Sequence, residues 1–359
     1  MRFKEIKVCE LTDFINSDLY KNSRNLAITQ QRVISQLNNP RANKNHIVLI
    51  IAINDFGEIV GFIGSLPDKI NKLPNINFSW NSCWWIDQEK GRKSAIPLLL
   101  KFLKVWNNNV AFRDMTPVTK KIIERLNKFK TIKKLNGFRY FLRFNTNEII
   151  PKKFKILVIF KPFLLALDFI LNFIIRLKPI NKSINYSVKH IDFIDDEAAL
   201  FIKKLNENEL FKRKKDELNW IIKYPWVVKE SKNKNQFYYF SDTSINFKNY
   251  LLKVYDNNSN LIGVLFLNNH NGLFKIPYAY FKKENLQTIV QFTYTFLIEK
   301  KAISFLTYND LLNNEFQKNN NPFWYKKQDF KELVIFEEIA KQINWDFMFQ
   351  DGDGDFVFT

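Results

Sequence analysis

Sulfur and histidine are scarce in this chain. Cys9 and Cys83 are its only cysteines, too few for a disulfide scaffold and without metal-ligand spacing; a reducing compartment is expected, and neither is a convincing nucleophile. His46, His190 and His270 sit singly at strand edges or loops, with no partner at metal or triad spacing, so structural roles are assigned to them. The start, Met-Arg-Phe-Lys-Glu-Ile-Lys, has no apolar core followed by small residues, so no secretory signal is read and a cytoplasmic location is expected. Acidic residues are outnumbered, 36 against 55 Lys and Arg, for a formal charge of +19. The lysines are scattered without a basic arm or stripe, as compositional drift would leave them, and no specific nucleic-acid partner is expected. Glycine is limited to nine, whereas 36 Phe, 13 Tyr and 8 Trp supply large buried surfaces. With 46% hydrophobic and 25% charged residues over 359 positions, the chain reads as globular, with two domains.

The β-branched run 47–53 ends in Asn54-Asp55-Phe56-Gly57, and a second run, 59–65, follows; this is a hairpin. A helix at 29–37 precedes it. Residues 78–86 form an aromatic strand, 95–106 a helix with a buried face, 110–113 a short strand, 116–129 a helix with Pro117 in its first turn, and 138–144 a closing strand. From Tyr186 the order repeats. A strand to 191 is followed by helices 195–205 and 216–223, strands 249–255, 261–267 and 274–281, helix 284–300, strand 303–307 and helix 309–318. Strands at 333–336 and 346–358 close the chain, with 337–343 as an alternative helix. The expectation is a structural duplication with domains 1–150 and 185–359, joined by a linker helix in 151–184.

Residues 156–177 are dominated by apolar side chains across about 20 positions, which raises the question of a membrane span. Pro162 is read as the start of a helix that Pro179 ends, about 24 Å long, which is short for a hydrocarbon core. Lys161, Asp168, Asn172 and Arg176, spaced seven, four and four, share one narrow face. Three readings of this 162–178 helix follow: packed between domains with the polar stripe in water, lying in a membrane interface by its apolar side, or, least favoured, a true span.

In Trp84-Trp85-Ile86-Asp87-Gln88-Glu89-Lys90-Gly91-Arg92-Lys93-Ser94-Ala95 a strand runs through a basic loop into a helix start, an arrangement suited to a pyrophosphate. This stretch resembles the cofactor loop of the GNAT (Gcn5-related N-acyltransferase) superfamily, with Lys90 on the first position of the Arg/Gln-x-x-Gly-x-Gly/Ala pattern, Lys93 on its first glycine and Ala95 on its last small residue. Lys90 and Lys93 depart from the pattern, and Gly91 lies one step off register. Asn136-Gly137-Phe138 matches a Gly-Phe such domains often carry before their last strand. The resemblance covers residues 1–145, and 186–359 by topology only. It implies an α/β (α+β) fold of two GNAT-like domains, each a mixed, mostly antiparallel sheet flanked by helices. It also implies acetyl-CoA or another acyl-CoA as co-substrate, held by Trp85, Ile86, Lys90, Gly91, Arg92, Lys93, Ser94 and Ala95, and direct attack by an amine or hydroxyl acceptor.

No general base is singled out. Asp87, Asp114 and Tyr140 can each fill such a role, and each also has a structural reading: Asp114 as a helix cap, Tyr140 as a half-buried sheet aromatic. Asp351-Gly352-Asp353-Gly354-Asp355 has its glycines misplaced for a calcium loop and is read as a tight turn between strands. Leu218 to Trp226 falls where GNAT-like domains line the acceptor cleft, but reads primarily as core packing. Two alternatives to the enzyme stand: a catalytically inert binding protein, and a peripheral membrane acyltransferase acting on a lipid-linked glycan precursor.

Overall fold

A computed structural model describes residues 1–176, 184–229, 236–240, 243–318, 323–343 and 346–358. The chain opens with β1 (Arg2–Lys7), α1 (Leu11–Asn16), α2 (Asp18–Lys21), α3 (Gln30–Leu37), β2 (Ile47–Ile53), β3 (Ile59–Asp68), β4 (Phe78–Ile86), α4 (Ala95–Val105), β5 (Val110–Arg113), α5 (Pro117–Arg125) and β6 (Phe129–Phe141). Next come α6 (Thr146–Lys153), α7 (Lys161–Arg176), β7 (Ser187–Ile191), α8 (Asp196–Leu205), α9 (Lys215–Lys223), β8 (Val228–Lys229), β9 (Thr243–Ser244) and β10 (Phe247–Tyr255). The remainder is β11 (Leu261–His270), β12 (Leu273–Phe281), α10 (Leu286–Glu299), β13 (Ser304–Thr307), α11 (Asp310–Lys318), β14 (Tyr325–Phe336) and α12 (Glu337–Gln342).

Two compact units result, and neither is a continuous stretch of chain. The first comprises Met1–Leu135, Phe193–Phe247 and Lys331–Thr359, the second Asn136–Asp192 and Lys248–Phe330. The first unit's sheet has the order β1-β2-β3-β4-β5-β14 and the second's β7-β10-β11-β12-β13-β6. In each sheet the fourth and fifth strands, β4 with β5 and β12 with β13, run parallel. The pairings β1 with β2, β2 with β3, β3 with β4, β5 with β14, β7 with β10, β11 with β12 and β6 with β13 are antiparallel. The mixed, mostly antiparallel sheets agree with the expected fold class, and the strand order is alike in the two units.

The consecutive division into 1–150, 151–184 and 185–359 is not the one the chain makes. Its sixth strands are exchanged. β6 follows α5, yet Phe138–Phe141 pair with β13, while Leu333–Ile335 of β14 pair with β5. Helices α8 and α9 also lie in segments that join the first unit. Several elements differ from those read in the sequence. The helix expected to 129 ends at Arg125, because Asn127 turns into the left-handed region at φ 51°. The strand expected at 138–144 starts at Phe129, β1 was not anticipated, and 346–358 is turn and 3₁₀ structure in place of a strand.

Both faces of the first unit's sheet are covered, which is why β2 is apolar throughout and does not alternate. Leu49, Ile51, Phe62 and Cys83 pack with Leu11, Phe14 and Val33 on one face. Ile50, Ile63, Trp84 and Ile86 pack with Leu98 and Phe102 of α4 on the other. In the second unit, Leu252, Leu265 and Phe274 meet Ile289, Phe296 and Phe316 of α10 and α11.

α7 is oriented opposite to the packed-linker expectation. Asp168 and Asn172 are buried, not in water. The Asp168 carboxylate accepts from the Thr146 amide (2.9 Å), the Thr146 hydroxyl (2.8 Å) and the Asn147 amide (3.0 Å), so it caps α6 from a distance. The Asn172 amide group bonds both the N–H and the carbonyl of Phe144. The expected stop at Pro179 lies outside the described residues. Asp168→Ala strands two partly buried amides and should destabilise the second unit by about 1–2 kcal/mol in urea unfolding; a change within error would refute this account of the stripe.

Candidate active site

The basic loop is shaped by its own side chains and by β3. The Asp87 carboxylate accepts from the amides of Glu89 (3.0 Å) and Lys90 (2.8 Å), closing a turn. Gly91 then passes under β3 so closely that a Cβ would lie 2.0 Å from the Val60 carbonyl oxygen; no side chain fits there. The Ser94 hydroxyl donates to the Gly91 carbonyl (2.6 Å), and a 3₁₀ turn, Arg92–Ser94, leads into α4 at Ala95. Amides opening such a turn have no partner within it. Arg92 and Lys93 are exposed beside them and form no salt bridge among the described residues. Lys90 is already engaged: its ammonium pairs with Glu58 at 2.9 Å, at the rim of a cleft of about 700 Å³ lined also by Arg2 and Arg24.

Next to this loop the sheet opens. β4 pairs with β5 only at Ser79 and Trp80, whereas on its other side it stays paired with β3 as far as Ile86. A bulge between Gly64 and Ser65 interrupts that ladder opposite Ser82. Beyond Trp80 the β5-facing edge of β4 therefore presents backbone groups to a gap, in line with the helix start. Trp85 and Ile86 lie on this stretch, with Trp85 stacked on Tyr239 at 4.6 Å.

At the vertex of the gap sits the Asp-Gly-Asp-Gly-Asp segment. Gly354 takes φ +86° and approaches Trp80, where a Cβ would lie 3.3 Å from the ring. The tight turn between strands expected here is instead a buried loop held by distant arginines. Arg113, at the end of β5, donates to the carbonyls of Asp351 (2.8 Å) and Asp353 (2.7 Å) and pairs with the Asp351 carboxylate. Lys331 of β14 reaches Asp351 at 3.1 Å, and Arg213 reaches Asp353 at 3.3 Å and Asp68 at 2.8 Å. Asp68 also takes Arg41 at 2.5 Å and the Trp80 indole N–H at 2.7 Å, and Arg41 pairs with Glu217 at 2.6 Å. Burial works to raise the Asp68 carboxyl, but Arg213 and Arg41 outweigh it and hold it at about 2.

Asp355 is in a different position. It is half-buried, and among the described residues no side chain donates a hydrogen bond to it. Burial raises its carboxyl to about 6, with Arg32 of α3 the main opposing charge. Its neighbour Gly354 packs against Trp80, the last residue of β4 that pairs with β5. Arg32 lies over Trp226 (4.1 Å) and Tyr238 (4.9 Å), and Phe358 stacks on Trp226 at 4.7 Å.

The residues singled out from sequence fare unevenly. Asp87 caps its own turn. Asp114 ends β5 at φ 50°, 3.5 Å from Lys331; the cap of α5 is Thr116, whose hydroxyl accepts from the Thr119 amide at 3.2 Å. Tyr140 is fully buried in the second unit and donates to Asn313 at 2.9 Å, and burial raises its hydroxyl. Trp220 and Trp226 are core residues. The Cys83 thiol is buried and raised, unsuited to attack; His46 is lowered by burial and packs on Trp106 at 5.0 Å. No cluster of metal-ligating side chains occurs among the described residues. Arg32, Arg41, Arg213 and Asp355 were missed. The available signal was arginine itself: four of eleven arginines, set against a lysine background, are buried in this unit.

The sheet with its flanking helices matches the fold of known N-myristoyltransferase structures. Two structures of Saccharomyces cerevisiae N-myristoyltransferase are similar to this chain. One, with bound myristoyl-CoA, is 11% identical with a TM-score of 0.51, the match covering 93% of this chain and 78% of that one. The other, with myristoyl-CoA and inhibitors, is 10% identical with a TM-score of 0.50, covering 93% and 80%. A GCN5-related N-acetyltransferase from Anabaena variabilis is 10% identical with a TM-score of 0.46, covering 92% and 72%. No protein-family profile and no curated protein matches the sequence.

Asp68 tests the ion network. Its folded value lies below the ordinary 3.8, so its contribution is present above about pH 4 and lost as pH falls toward 2. Asp68→Asn at neutral pH leaves Arg41 and Arg213 short of a buried partner and should cost about 3–5 kcal/mol in denaturant unfolding. A loss below about 1 kcal/mol would show that the network is dispensable.

Proposed function

We propose that this protein is an acyl-CoA-dependent acyltransferase that moves an acyl group from CoA to an amine, or a hydroxyl, by direct attack. The observation that carries this reading is the opening of β4 from β5 beside a basic helix start. An extended amide-bearing arm can add to the free edge of β4 near Trp85 and Ile86, as a strand would. Its pyrophosphate then meets the turn from Lys90 through Gly91, Arg92, Lys93 and Ser94 to Ala95. Arg92 and Lys93 supply the charge, since Lys90 is held by Glu58. The bound myristoyl-CoA of the yeast enzyme supports an acyl-CoA donor as a class.

In the reaction the acceptor nitrogen bonds to the thioester carbonyl carbon, the C–S bond breaks, and CoA leaves as thiolate. The amine must lose a proton, and the thiolate must gain one. We assign the first role to Asp355. It follows Gly354, which packs on Trp80 where β4 parts from β5, and a carboxyl at about 6 is ionised at neutral pH yet basic enough to accept that proton.

Calorimetric titration with CoA and with acyl-CoAs of increasing chain length tests the donor. Binding should be measurable, and Arg92→Gln with Lys93→Gln should weaken it about tenfold. Absence of heat with every thioester would overturn the reading.

For Asp355, the rate at saturating donor should rise with pH through about 6. Asp355→Asn should lower it by about 10²–10⁴ and remove that limb, leaving CoA affinity intact. Because its folded value is raised, its charge costs stability as pH climbs from about 4 to 6, so the variant should also lose part of that pH dependence. An unchanged pH–rate profile would exclude Asp355 as base.

A further inference from the structure

We propose that α7 and the turn before it lie in the interface of an anionic membrane. This rests on the orientation of the helix and is independent of the acyl-transfer reading. Lys155–Ile175 is long and apolar enough, by length and composition, to cross a bilayer, yet two features argue for lying flat. Asp168 and Asn172 are committed to the backbone of Phe144, Thr146 and Asn147, which fixes one side of the helix onto the folded unit. Lys161 pairs with Glu148 of α6 at 3.2 Å, tying down its start. A span would have to strip these groups of their partners.

With the polar side turned in, the apolar side is turned out. Phe163, Phe169, Ile170, Phe173 and Ile174 share the opposite face and are 66%, 75%, 56%, 56% and 53% exposed. The preceding turn adds Ile156, Val158, Ile159 and Phe160, all exposed. An apolar strip of this size on a folded surface marks an interaction site.

Charge identifies the occupant. Lys152, Lys153, Lys155 and Lys161 surround the start of this strip, all exposed, against Glu148 alone. Cations beside an apolar helix face are what an anionic lipid surface binds: headgroups meet the lysines while the rings enter the acyl boundary.

The test is flotation of the full chain with vesicles of phosphatidylcholine alone and of phosphatidylcholine with phosphatidylglycerol. The chain should float with the anionic vesicles. Phe169→Glu with Phe173→Glu, which alters exposed positions only, should keep the melting transition and reduce binding at least about tenfold. Lys152→Gln with Lys155→Gln should weaken binding to the anionic vesicles selectively. Failure to float would overturn the proposal, as would flotation unaffected by the Phe changes. A lipid-free dimer that the Phe changes dissociate, with no vesicle binding, would assign the face to a second copy and equally overturn it.

Discussion

The first unit depends on one buried carboxylate. Asp68, at the end of β3, sits between Arg41 and Arg213 with the Trp80 indole as a further donor. A charge removed from water is tolerable only with close partners, and removing any one leaves the others uncompensated. That requirement explains how three separated stretches of chain form one unit. Arg41 follows α3, Arg213 precedes α9, and Arg213 passes the constraint to Asp353 near the end of the chain. Arg113 and Lys331 repeat the logic around Asp351, fastening β5 and β14 to the same loop.

The network also determines what Asp355 can do. Asp68 and Asp355 are carboxylates in one unit whose surroundings push them in opposite directions, Asp68 to about 2 and Asp355 to about 6. The difference is compensation: two arginines contact Asp68, whereas none donates to Asp355 among the described residues. Burial raises Asp353 to about 6 as well, although Arg213 lies 3.3 Å from it. The arginines and Lys331 hold the loop through Asp351 and Asp353.

Local chemistry was legible in the sequence; long-range pairing was not. The hairpin at Asn54 was readable because its signals are local: Gly57 adopts φ +81°, and the Asn54 side chain accepts from the amides of Phe56 and Glu58. The strand Phe78–Ile86, the loop and α4 were readable for the same reason. The exchange of β6 and β14 was not, since nothing in either strand names its partner, and the 1–150 boundary failed with it. The Asp351–Asp355 loop looked like a hairpin tip because the residues that bury it, Arg113 and Arg213, lie 238 and 140 positions away from their acceptors. The turn after β4 does lead into a helix start as read, yet its glycine lies against the Val60 carbonyl, and Lys90 pairs with Glu58.

α7 shows how far a periodicity argument reaches. The spacing of Lys161, Asp168 and Asn172 correctly placed them on one face, but periodicity cannot say whether that face points to water or to protein. Direction is set by which groups lack partners. Phe144, Thr146 and Asn147 offer backbone groups where β6 has ended and α6 begins, and short polar side chains on a neighbouring helix satisfy them. Burying the apolar side instead would leave those amides without acceptors and the carboxylate without donors. The helix therefore resolves its internal polar demand at the expense of an apolar outer surface, which water does not solvate well and a lipid boundary does.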